Sequence, residues 1–160
     1  MTVLSDFSDD ERARIIDTVG AVGVAAINAD GIPGPAAMIK ESVALVTAVE
    51  KSQEHKNDFV RSVADAFAGR GDSGPRSKRV QGGQEGREAA AIAETEASIA
   101  LLRDRGDQED VDAYGELLVR VATYIADASP SREGGIFGKK VQVSTAEQAF
   151  IDRLTATVGG

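Results

Sequence analysis

The sequence holds no cysteine and no tryptophan, one histidine, and only five phenylalanines and two tyrosines in 160 residues. Without cysteine there is no disulfide, no thiolate metal site and no thiol nucleophile or redox switch. That absence suits a reducing compartment. The single histidine, His55 in EKSQEHKND, has no partner at triad spacing, and no Gly-x-Ser-x-Gly elbow occurs, so nucleophilic catalysis lacks its parts. With aromatics at 4%, the core must be built from Val, Ile, Leu and Ala, and a pocket walled by aromatic rings is not expected. Long apolar runs are also missing: the longest, residues 19–27, has nine residues, against about 20 for a spanning helix. The opening MTVLSDFSDDE has neither a basic n-region nor an apolar h-region, so no signal peptide is expected. The cytoplasm is the default location.

What is present is negative charge and helical rhythm. Lys and Arg number 18 against 26 Asp and Glu, a net charge of −8, with an isoelectric point near 4.7. A surface of that sign repels phosphodiester backbones, so nucleic acid is not an expected partner. At this length one domain, residues 1–160, buries about 70% of its unfolded surface and needs no metal or cross-link to fold.

The periodicity predicts an all-α domain of about six helices. Ser8 is a good N-cap, followed by Asp9, Asp10 and Glu11 at the positive end of the helix dipole. Ile15, Val19, Val22 and Ala26 then trace one face. Gly20 and Gly23 keep that helix slim enough for a close neighbour. Residues 28–34 end it, and a second helix starts at Pro35, a favoured first position. It carries two apolar stripes, Met38, Ser42, Leu45, Val49 and Ile39, Val43, Val46, which predicts a central helix contacted from two sides. If one stripe is left open, a homodimer follows. Phe59, Val60, Val63 and Phe67 mark a third helix. Ile92, Thr95, Ile99 and Leu102 mark a fourth, and Val111, Tyr114, Leu118, Val121 and Ile125 a fifth. The short turn between these two predicts an antiparallel hairpin. Ser144-Thr145-Ala146-Glu147 is a capping box opening a last helix with Phe150, Leu154 and Val158. No segment is expected to form a strand.

Two long irregular loops interrupt the pattern, at about residues 69–86 and 129–143. The first holds Arg70, Arg76, Lys78 and Arg79, a basic island in an acidic chain. It suits an anion, an acidic partner or plain solvation, and it matches no P-loop. The second, with Ile136 and Phe137 among glycines and Lys139 and Lys140 beside them, either plugs the core or offers an apolar contact to a partner or membrane surface. His55 is read as a solvated helix-end residue. The carboxylates at positions 6–11 and 104–112 are read as helix-terminal charge compensation. The latter lack the order of an EF-hand loop, and no Glu-x-x-His pair of a di-iron bundle occurs.

Two stretches, AAINADGIPGPAAMIKE (25–41) and EGGIFGKKVQVSTAEQAFIDRL (133–154), resemble segments of an uncharacterised family of all-helical bacterial proteins, whose C-terminal signature reads EGG…G…VSxxE. The resemblance implies a fold rather than an activity. A more distant likeness is to TerB-like domains of tellurite-resistance systems, in which an apolar helix, an Ala-Asp-Gly turn and a helix-opening Glu recur. One copy would span residues 24–41, with Ala29-Asp30-Gly31 at the turn. The other would span 121–147, where Ala126-Asp127-Ala128 replaces the turn. That resemblance implies a divalent metal held through Asp30 and Asp127. The spacing from Asp30 to Glu41 is longer than in that family, and the second copy lacks the glycine and carries an insertion.

Function is therefore expected to rest on binding: a non-enzymatic helical protein that acts through a protein partner or self-association, with no cofactor. The alternatives are a TerB-like protein responding to metal or oxyanion, and an enzyme using two convergent carboxylates as acid and base.

Overall fold

Helix-forming periodicity and well-placed caps carry most of the chain. A computed structural model describes residues 2–70, 83–128, 131–133 and 139–160, with backbone alone for 131–133 and 139–141. Among the described residues the fold is all-α, with six α-helices: α1 Asp9–Ile27, α2 Pro35–Ser52, α3 Asp58–Ala68, α4 Gln84–Arg105, α5 Gln108–Ala128 and α6 Thr145–Gly159. No helix among them is long and apolar enough to cross a membrane.

The starts are set by side chains that satisfy otherwise orphaned N–H groups. At α1 the Glu11 N–H donates to Ser8 Oγ at 3.4 Å, while Ser8 N–H donates to Glu11 Oε2 at 2.9 Å. At α6 the Ser144 N–H donates to Glu147 Oε2 at 2.7 Å and the reciprocal bond is 3.2 Å. Asn57 caps α3 by accepting from Val60 N–H at 3.0 Å. After α1 the chain turns through Gly31 at φ 101°, a backbone conformation that residues with a Cβ rarely adopt. Pro35 then opens α2.

Five helices bury the stripes their spacing announces. Ile15, Val19, Val22 and Ala26 of α1, Phe59, Val60 and Val63 of α3, Ile99 and Leu102 of α4, the stripe from Val111 to Ile125 of α5, and Phe150 and Leu154 of α6 are all buried. They join in one core to which every helix contributes. Phe59 sits at its aromatic centre, 6.2 Å from Tyr114 and 6.4 Å from Phe7 between ring centroids. Tyr114 is fully buried and donates to the Ile15 carbonyl at 2.8 Å, and burial pushes its hydroxyl pKa well above the ordinary tyrosine value.

Two expectations change, at the start of α4 and within 129–143. Helices α4 and α5 are in contact across their short turn, while α4 lies chiefly on α1 and α5 chiefly on α2. The reason is α1, whose Gly- and Ala-rich surface admits close neighbours. Gly23 is in close contact with Leu45 of α2. The fourth helix also begins at Gln84, inside the segment read as loop, where Gln84 Nε2 donates to the Ala29 carbonyl and Arg87 to Asn28 Oδ1 at 2.7 Å. These bonds tie its first turn to the end of α1. Lastly, the stretch 129–143 contains a short antiparallel ribbon, β1 Ser131–Glu133 with β2 Lys139–Val141, in the register Ser131 to Val141 and Glu133 to Lys139.

Candidate functional site

Helix α2 is the exception to the rule that stripes go inside. Ile39, Val43 and Val46 are 67%, 59% and 54% exposed, and Met38 and the preceding Ile32 are exposed too. On the same helix Glu41, Ala48, Val49 and Ser52 are buried. The expected central helix with two covered sides is therefore a peripheral one, docked on one side only.

Its docking face explains the inversion. Glu41, Ala44, Ala48 and Ser52 lie at helical spacing, a seam with two alanines, and Ser52 folds its hydroxyl back onto the Ala48 carbonyl at 2.7 Å. Small side chains permit a close backbone approach, and a close approach gains dispersion contact that a looser one forfeits. The branched residues Ile39, Val43 and Val46 are on the opposite side, within about 60° of each other at roughly 100° per residue. Lys51 clamps the C-terminal half to α5: its Nζ donates to Tyr124 Oη at 2.7 Å and lies 4.8 Å from the ring centroid. Beside the clamp a largely apolar groove of about 510 Å³ runs between α2 and the end of α5, walled by Ile39, Val43, Ala44, Tyr124 and Ala128, with Lys40 and Asp127 also on its lining.

Two other places gather charged groups. A groove of about 720 Å³ between α5 and α6 is lined by Asp112, Glu116, Arg120, Asp127 and Thr155. At the end of the bundle, the buried Glu147 is held in its capping box, and burial raises its carboxyl pKa; the nearby Asp30 and Asp127 push it the same way. Asp30 and Asp127, the two residues singled out for metal, thus share Glu147 as a neighbour. Among the described residues no group of three or more His, Asp or Glu side chains is placed to hold a metal ion.

His55 accepts a hydrogen bond on Nδ1 from the Asn57 N–H at 3.1 Å. Its pKa is lowered below 6.5, first by partial burial and then by Arg120, Lys56 and Arg61 against the opposing Glu116. The ring, half-buried just past the end of α2, is thus tied into the local turn before α3. Of the basic island, Arg70 is ion-paired with Asp17 of α1, so it is not a free contact. Arg76, Lys78, Arg79, Ile136 and Phe137 lie outside the described residues, and for Lys139 and Lys140 only the pairing of β2 with β1 is described.

The spacing of Ile39, Val43 and Val46 marks an apolar stripe, but it does not say which side of the helix docks. The signal that does is the small-residue seam, which competes with the branched stripe for the core. No protein-family model matches this chain, nor does any curated protein or solved structure.

Proposed function

We propose that the protein works by binding another protein chain through the outer face of α2, without chemistry of its own. The observation that carries this reading is the 54–67% exposure of three branched aliphatic residues, Ile39, Val43 and Val46, on one helix. Scattered exposed aliphatics are ordinary, but a contiguous stripe on an ordered helix has a cost in water that a partner removes. The spacing is that of anchors in helix-in-groove recognition. Replacing Val43 with a photo-reactive phenylalanine analogue tests it, both in the purified chain and in cells. Irradiation is expected to give a protein adduct at position 43 and none at the exposed position of Asp152; equal yields, or no adduct at 43, contradict the reading.

A second reading is a TerB-like domain that responds to a divalent metal or an oxyanion. It is favoured by one observation, that the charges of Asp30 and Asp127 both act on Glu147, although no three such side chains among the described residues are placed to hold a metal ion. Calorimetric titration with Ca²⁺, Zn²⁺ and Mn²⁺ decides it: heat lost in Asp30→Asn/Asp127→Asn supports this reading, and a flat titration removes it.

A further inference from the structure

Resting on the reading that the outer face of α2 is a docking surface, we infer that its occupant is the same helix of a second copy, packed antiparallel about a two-fold axis. The charge pattern along that face carries the inference. Lys40, directly after Ile39, and Glu50, beyond Val46, are both exposed and ten positions apart, about 15 Å along the axis, and they flank the Val43–Val46 part of the stripe. Neither has an ion-pair partner among the described residues. Between them the outward positions are Ser42, Val43, Val46 and Thr47, with no charge at all.

A two-fold interface brings each residue i against a residue j and j against i. With the axis passing near position 45, Lys40 of each copy meets Glu50 of the other, and two equivalent ion pairs close the ends. Val43 and Val46 fall on either side of the axis, where the two copies supply an apolar centre. Parallel packing would set Lys40 against Lys40 and Glu50 against Glu50. The face is thus complementary to itself in one orientation and repulsive in the other, the arrangement by which charges fix register in paired helices.

The rest of the molecule works against this contact, which makes it testable. Each copy carries a net charge of −8, so general electrostatics disfavours association. One helix face is also a small interface, which places the dissociation constant on the order of micromolar.

Sedimentation equilibrium of the full chain, from about 1 to about 200 µM, brackets that constant and reads the result. The wild type is expected to pass from monomer to dimer across that range. Lys40→Glu and Glu50→Lys are each expected to weaken dimerisation about three- to tenfold, since each places two like-charge contacts where two ion pairs stood. The double variant is expected to regain the wild-type constant. Glu50→Lys is the decisive arm. It makes each copy less negative, so tighter association of that variant would show general repulsion at work and overturn the pairing. Helicity by circular dichroism, unchanged in all three, separates the effect from misfolding. A wild type that stays monomeric throughout also overturns the inference. If the photo-reactive chain then gives an adduct with a different protein, the docking reading stands and the second copy alone is wrong; with no adduct, both fail.

Discussion

Phe59→Ala is expected to lower the unfolding free energy by about 3–5 kcal/mol, the range for emptying a fully buried aromatic site. Phe59 is 1% exposed, and its ring packs against both Phe7 and Tyr114. In a chain with so few aromatics, those tilted and edge-on contacts have no substitutes nearby. Each adds about 0.5–1.5 kcal/mol beyond area burial. The neighbours are held by packed elements and cannot collapse far into the space, so the cavity persists. A domain of this size has about 5–15 kcal/mol in total, and the variant is expected to melt roughly 10 °C lower. Urea unfolding followed by circular dichroism checks it; a loss below about 1 kcal/mol would mean that the aromatic centre is not the core.

The second large effect belongs to Asp110. Its carboxylate accepts from the Thr2 N–H and from Asn57 Nδ2, each at 2.7 Å, and is 5% exposed. It joins the segment before α1, the cap of α3 and the first turn of α5. Asp110→Ala leaves two buried donors without an acceptor and loosens Asn57, which caps Val60. The expected loss is about 2–4 kcal/mol. Burial by itself would raise this carboxyl pKa, but the bonds from Thr2 and Asn57 more than offset it, and the net shift is downward from 3.8. A carboxyl lowered in the folded state gives stability that is fully present above its unfolded value and is lost as pH falls through the folded one. The gap between wild type and Asp110→Ala, read from urea midpoints, should therefore be constant near neutral pH and shrink below about pH 4. A gap that grows with acidification would contradict the hydrogen-bonded carboxylate.

Most of the helices are legible in the sequence because two independent signals agree at each. Ser8 with its following acidic turn, and Ser144 with Glu147, mark starts that the aliphatic spacing of Ile15, Val19 and Val22, and of Phe150 and Leu154, then supports. The side on which α2 docks is not legible. Period alone sees Ile39, Val43 and Val46 as interior candidates equal to Ala44 and Ala48, and size argues for the branched residues. Docking reverses the order because Leu45 seats against Gly23 of α1 and Ala48 and Val49 go inside on the same side, which leaves the branched stripe outward. The short ribbon at 131–133 and 139–141 is hidden for another reason: three-residue strands are too short for alternation to register. The approach of Glu147 to Asp30 and Asp127 is a product of tertiary folding, since Asp30 follows the first helix and Glu147 lies in the opening turn of the last.

The proposed docking role rests on the exposed stripe of α2 being surplus to the fold of the monomer. The direct measurement is the urea midpoint of Ile39→Ser/Val43→Ser/Val46→Ser at a protein concentration low enough to keep the chain monomeric. Serine ranks with valine and isoleucine in helix propensity, so the helix itself is little changed. The expected result is a loss within about 0.5 kcal/mol per site, far below that of Phe59→Ala. A combined loss of the size seen for core truncation would place the stripe inside the folded monomer and contradict its role as a docking face.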